Sequence, residues 1–261
     1  MKKLLNIGVW FLLLAYFLLM SGFVSKHQDE RICNAVEVII ADSLSHKFIS
    51  SDEVKELLDK AGVKTLGESI TKVNTKKVEQ VLLKENLIES CSAYKTVDGK
   101  LYVEVYQKTP ILKIITQFGG KYYLDNKGDI FATKSKYSPR IIVASGSISI
   151  PMNLSKCSNI FEREYYKEAA ELRQLFDFVT YIDQSEFWEA QIEQIYRDKN
   201  GDWELVPRVG PHLIQMGSLD NFKDKLWKLD ILYKEGFSRV GWNEYLYINL
   251  KFKDQIVCTK N

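Results

Sequence analysis

Few residues in this chain are placed to do chemistry. Of its three histidines, His27 and His46 fall on a predicted linker and a loop, and with His212 they suit surface polar roles. No glycine-rich phosphate loop, GxSxG elbow or HExxH helix occurs. Two acid pairs, Glu162 with Glu164 and Asp198 with Asp202, have the residue types of a glycosidase acid and base. They fall on a helix surface and a hairpin loop, where solvated carboxylates are the simpler expectation. The reading is therefore non-enzymatic, with no catalytic, cofactor-binding or metal-ligating residues. The four cysteines at 33, 91, 157 and 258 are too dispersed for a CxxC redox pair or a zinc clip. Cys33 and Cys91 each open a predicted strand, so a Cys33–Cys91 disulfide is one expectation and buried free thiols the other.

The pattern that points to binding lies near the C-terminus. Leu246, Ile248, Leu250 and Phe252 alternate with Tyr245, Tyr247, Asn249, Lys251 and Lys253, so one strand face is apolar and the other carries aromatic and polar groups together. A covering partner accounts for that second face; a strand buried on both sides and a merely solvated face are the alternatives. The tryptophans Trp188, Trp203, Trp227 and Trp242 are dispersed through helices and strands as core anchors rather than grouped as a sugar-stacking platform.

Two groups of elements must position that strand. In the first, Val36, Val38 and Ile40 alternate as a strand, and Ser50 with Glu53 forms a capping box for a helix that stops at Gly62. Asn74 caps a second helix carrying Val78, Val81 and Leu82. Cys91–Val97 and Lys100–Gln107 follow as strands joined by Asp98-Gly99, a pair favoured in type I′ hairpin turns. The order is strand, helix, helix, strand, strand, and Pro110 is expected to close the unit. Beyond it come short strands, interrupted by two predicted helices. One runs from about Phe161 to Phe178; the other is capped by Asp220, carries Phe222, Leu226, Leu229 and Tyr233, and ends at Gly236. The fold class is α+β.

The 36 basic and 34 acidic residues are interspersed, leaving +2 net, so no groove for nucleic acid and no polybasic lipid patch is indicated. Leu4–Val24 is uncharged and long enough, at about 1.5 Å per residue, to cross a hydrocarbon core of about 30 Å. Lys2 and Lys3 precede it without an acid, which places the N-terminus inside and the body outside. A cleaved signal peptide is the competing reading, but no small-x-small pair marks a cut near Ser21, Gly22 and Phe23.

This layout resembles the FtsQ/DivIB family of bacterial division proteins. The likeness rests on Phe48-Ile49-Ser50 before the first helix and on Val103-Glu104-Val105-Tyr106-Gln107-Lys108-Thr109-Pro110 at the junction. It rests further on Tyr122-Tyr123-Leu124-Asp125-Asn126-Lys127-Gly128 and on the closing Tyr247-Ile248-Asn249-Leu250-Lys251-Phe252. The resemblance implies a cytoplasmic tail (1–3), a transmembrane helix (4–24), a linker (25–32), a POTRA-like domain (33–109), a β domain (110–255) and a C-terminal tail (256–261). It implies a non-enzymatic divisome scaffold in the cytoplasmic membrane at the septum. There the protein would recruit an FtsB-like and FtsL-like pair, which regulates septal peptidoglycan synthesis, with other division proteins met through the POTRA-like domain. The recruiting contact would be strand pairing at the C-terminal edge through Tyr245, Tyr247, Asn249, Lys251, Phe252 and Lys253. Lys251 and Phe252 match the family positions most tied to it. The alternation puts Phe252 in the core row, whereas the resemblance needs it outside, which requires the strand to leave the sheet there. Rival expectations are a POTRA-type chaperone or transport accessory subunit, which predicts repeated POTRA units or a barrel, and a membrane-anchored extracytoplasmic hydrolase.

Overall fold

The computed structural model describes residues 10, 12–20, 31–41, 47–135, 137–152, 154 and 158–260. His27, His46, Cys157, the expected tail 1–3 and most of the expected linker lie outside them. Of the expected span 4–24, residues 10 and 12–20 are described; they are helical, with Trp10, Leu12, Phe17 and Leu18 exposed. Among the described residues no helix is long and apolar enough to cross a membrane. The chain divides into two compact units, 1–107 and 108–261.

In the first unit, strands β1 (Ala35–Ile40), β2 (Ile88–Lys95) and β3 (Lys100–Gln107) form a sheet in the order β1-β3-β2, with β1 parallel and β2 antiparallel to β3. Helices α1 (Ser51–Lys60) and α2 (Thr75–Leu82) cover one face, burying Val54, Leu58, Val78 and Leu82 against Leu101, Val103 and Val105. The capping box is present: Glu53 N–H donates to Ser50 Oγ and Ser50 N–H to the Glu53 carboxylate. The buried Gln107 side-chain oxygen accepts from the N–H groups of Phe48 (2.9 Å) and Ile49 (3.0 Å), which pins the entry to α1 to the last residue of β3. Two expectations fail here. The hairpin loop is four residues, Thr96–Gly99, and Gly99 alone supplies a positive φ, so the turn is not type I′. Cys33 and Cys91 are free thiols. Strand β3 separates them: Cys91 and Ile40 both lie opposite Val105, and Cys33 is seven residues before Ile40, ahead of the start of β1, far beyond disulfide reach.

The second unit is a nine-stranded mixed sheet. Its strands are β4 (Pro110–Ile115), β5 (Lys121–Asp125), β6 (Ile130–Phe131), β7 (Ile142–Gly146), β8 (Ile192–Arg197), β9 (Trp203–Pro207), β10 (Leu213–Gly217), β11 (Tyr245–Asn249) and β12 (Val257–Lys260). Their order across the sheet is β12-β11-β10-β9-β8-β7-β4-β5-β6. Pro110 opens β4 rather than closing the first unit, and proline fits because a first strand residue can spare its N–H. Helix α3 (Ala170–Asp183) packs Leu172, Leu175, Phe178, Val179 and Ile182 against inward strand residues such as Ile114, Ala144 and Ile195. The expected Phe161–Phe178 helix starts later and runs further. Asn159 donates to the Lys127 carbonyl and the Asp129 carboxylate and accepts from Phe161 N–H, holding that stretch as a turn against the β5–β6 hairpin. Below the turn, Asp125 is 1% exposed and its carboxylate accepts from the N–H groups of Lys127 and Asp129. Burial works to raise the Asp129 carboxyl, but the Lys108 ammonium and Asn159 more than offset it and hold it below the ordinary carboxylate range.

Helix α4 (Glu186–Gln191), capped by Ser185, is an addition to the two predicted here. Helix α5 (Phe222–Ile231) is preceded by Asn221 in a left-handed conformation, not capped by Asp220. It does not stop at Gly236. A π-turn, Leu232–Gly236, carries it into α6 (Phe237–Val240), because Tyr233 and Phe237 are both buried against the sheet; Gly241, at φ +93°, ends it.

Gly146 marks the tightest backbone approach. At φ +100°, a Cβ there would lie 2.2 Å from the Arg197 carbonyl. Arg197 in turn donates to the Ser147 carbonyl (2.8 Å) and pairs with Glu171 of α3 (3.0 Å). Gly146→Ala should therefore cost at least about 2 kcal/mol. Gly67, also at positive φ but facing open space, should lose less on the same change. Denaturant titrations of the two variants check this; equal losses would contradict it.

Candidate functional site

The structure puts the predicted docking strand inside the sheet. β11 runs parallel to β10, with Leu213 opposite Tyr247, Ile214 opposite Ile248 and Gln215 opposite Asn249. On its other side it pairs antiparallel with β12, with Tyr247 opposite Thr259, Ile248 opposite Cys258 and Asn249 opposite Val257. Residues 257–260, expected as tail, are thus the terminal strand, and the free edge belongs to them. The β-branched pair in Ile256-Val257 and the Thr259 that follows carried the signal, in a run too short and too close to the end to read as a strand.

The local chemistry explains where each predicted residue ends up. Tyr245 is half-buried, stacked on Phe237 with ring centroids 5.9 Å apart. Tyr247 is 43% exposed. The Asn249 side-chain oxygen accepts from Lys251 N–H (2.9 Å), an Asx-type turn that ends the strand. Leu250 still points inward, fully buried, and its N–H donates to the Gln215 carbonyl. The alternation then breaks, so Phe252 leaves the core row and stands 46% exposed. Lys251 is ion-paired with Asp202, and its stem crosses Gly217, where a Cβ would meet it at 3.0 Å. Lys253 is exposed.

The turn after β11 is tied down by the helix above it. Lys228 donates from α5 to the carbonyls of Phe252 (3.3 Å) and Lys253 (2.7 Å). Lys225, one turn earlier, donates to the carbonyls of Met216 and Ser218, and burial holds its ammonium below the usual lysine range. Between α5 and the turn lies a cleft of about 770 Å³, bordered by Trp227, Lys228, Leu250, Phe252 and Lys253, in which Trp227 is 62% exposed. Its sequence pattern suits Trp227 to the core, yet it is 62% exposed, and its position beside Phe252 arises only once the helix and turn are folded together.

Each of the other sheet edges has at least one backbone group bonded to a neighbouring element. In the first unit, Ala93 N–H of β2 donates to the Glu79 carboxylate of α2 (2.8 Å), and Ser51 at the start of α1 donates to the Val38 carbonyl of β1. In the second, Ile130 N–H of β6 donates to the Ser158 carbonyl, and Asp129 bridges to Asn159. Among the described residues, Val257–Lys260 make no hydrogen bonds except those to β11. The acid pairs weighed as catalytic are parts of turns. Asp198 accepts from the N–H groups of Asn200 and Asp202 to close the β8–β9 hairpin, Asp202 holds Lys251, and Glu162 accepts from Asn159 N–H.

A βααββ unit followed by a wide mixed sheet, whose terminal strand β12 bonds only to β11 among the described residues, defines a two-part α+β scaffold. A model of the family described as FtsQ/DivIB, C-terminal related, matches residues 109–259, and a POTRA-like domain model matches residues 31–106. The first match spans more than half of the chain, and the protein belongs to the FtsQ/DivIB family, whose two domains are non-catalytic scaffold domains of cell division. No curated protein matches the chain.

Two neighbouring residues should respond oppositely to truncation. Leu250→Ala should lose about 2–5 kcal/mol by opening a cavity in the core. Phe252→Ala, two positions on and half exposed, should stay within about 1 kcal/mol of the parent. Thermal melts of both variants decide it, and a large loss for Phe252→Ala would place that ring in the core.

Proposed function

We propose that this protein is a membrane-anchored divisome scaffold that recruits an FtsB-like and FtsL-like pair by strand addition to β12, linking division proteins to septal peptidoglycan synthesis. The observation that carries the reading is the state of the edges: three have backbone groups tied to other elements, and β12 has none beyond its pairing with β11 among the described residues. An edge strand with unpaired N–H and C=O groups is a template for another chain, and folded proteins normally blunt such edges. A partner strand beside Val257–Lys260 gains main-chain hydrogen bonds. Side-chain selectivity then comes from Tyr247 on the neighbouring strand and from Phe252 at the turn, with Lys251 and Lys253 beside them. Tyr245 and Asn249 support the edge from within, by packing on Phe237 and by turning the chain. The anchor is taken to be residues 4–24, consistent with the helical, exposed apolar residues 12–20, with the bulk outside the cytoplasm. The POTRA-like unit is the candidate surface for further division proteins.

The test is binding of the extracytoplasmic segment of an FtsB-like chain by calorimetry. Cys258→Pro, which removes an N–H on the side of β12 away from β11, and Phe252→Glu should each weaken it at least about tenfold. Val97→Glu, on an exposed turn of the first unit, should leave it unchanged. Undiminished affinity in both edge variants, with the fold intact by circular dichroism, would sink the proposal.

A further inference from the structure

Beneath the base of β11 lies a buried titratable pair for which strand addition has no use. His212, just before β10, is 2% exposed and its Nε2 is 2.8 Å from the Tyr233 hydroxyl. Its Nδ1 is buried and has no hydrogen-bond partner. Tyr233, Phe237 and Trp242 surround the imidazole, with ring centroids 5.6, 5.3 and 6.3 Å away. Gly210, at φ +87°, leaves room for the ring: a Cβ there would lie 2.7 Å from Nδ1. The elements facing the imidazole are the π-turn, α6, and the segment from Trp242 into β11. Among the described residues, the titratable group they bring to it is the Tyr233 phenol, and no carboxylate pairs with it.

Such a site holds a neutral imidazole. One nitrogen shares a hydrogen bond with a phenol, and the other faces a place where a second N–H would have no acceptor. A charged ring would add that unsatisfied donor and bury a cation without a counter-ion. Burial accordingly pushes the His212 imidazole down and the Tyr233 phenol up from their ordinary ranges, so both stay neutral near pH 7.

We propose that His212 and Tyr233 form a pH-sensitive latch, which holds the π-turn, α6 and the Trp242–Tyr245 segment against the sheet only while the imidazole is neutral. Tyr233 is the handle: the π-turn places it toward His212, with Phe237 four residues on in the same cage and stacked in turn on Tyr245. The latch rests on its own geometry. Its consequence, that acidification loosens the support of the docking edge, rests on the strand-addition reading.

The sign follows from linkage. A histidine with a lowered folded pKa leaves the folded state binding fewer protons than the unfolded state, so stability is full above the unfolded value of about 6.5 and falls as pH drops below it. Thermal melts of the full chain in detergent, without any partner, are compared at pH 7 and pH 5 for the parent and for His212→Gln, whose amide reaches the position of Nε2 without titrating. The parent should lose about 4–8 °C more than the variant over that interval. A second readout covers the case in which the variant does not fold: in the parent, the ring proton resonance of His212 should stay fixed between pH 7.5 and 5.5 while that of free histidine added to the same sample moves. Parallel pH losses in parent and variant, or an ordinary titration of His212, overturn the latch. Either outcome leaves the β12 reading standing, because no partner is present in these experiments.

Discussion

An open sheet has two edges, and every edge strand carries backbone groups that its own sheet cannot pair. That constraint organises this molecule. In the first unit, a carboxylate from α2 takes an edge N–H of β2 and a serine from α1 reaches β1. In the second, the segment around Asn159 folds back on the two-residue strand β6. Each device uses side chains or backbone already placed by local turns. The sheet then ends at β12, a four-residue strand with no such cover among the described residues, and the surrounding architecture keeps that strand in register.

The support comes in layers. Ile248 and Leu250 anchor β11 in a core shared with α5 and with Ile214 of β10. Asn249 ends the strand, Lys251 is held by Asp202 from the β8–β9 hairpin, and Lys228 fixes the following turn through two carbonyls. Exposed lysine–carboxylate pairs contribute little each, so the rigidity comes mainly from the buried leucine and from the main-chain bonds. A pre-organised edge matters energetically because strand addition yields modest net energy per hydrogen bond, and ordering a floppy edge at the moment of binding would consume much of it.

Much of this was legible in the residues. The capping box at Ser50, the Asn74 cap and the alternation in β1 and β3 defined the first unit, because local signals and tertiary packing agree there. The inward row Ile248 and Leu250 was legible for the same reason. The failures share one cause: a tertiary contact overrode a local signal. The network at Asn159 replaced the start of a helix, and burial of Tyr233 and Phe237 drove α5 through Gly236. Intervening β3 kept Cys33 and Cys91 apart, and a short terminal strand moved the free edge from β11 to β12. The exposed place of Phe252 depends on one side-chain-to-backbone bond at Asn249, which periodicity does not encode. Trp227 beside it and the His212–Tyr233 pair, 21 residues apart in sequence, had no local pattern to announce them.

The central claim is that the C-terminal strand is the docking edge of this FtsQ/DivIB-family protein. Amide hydrogen exchange of the full chain, with and without an FtsB-like partner, tests it most directly because it reports which backbone groups become paired. The account predicts new protection at amides of Val257–Lys260 on the side away from β11, with the amides of β2 unchanged. Protection gained in β2 while Val257–Lys260 exchange as before would contradict it.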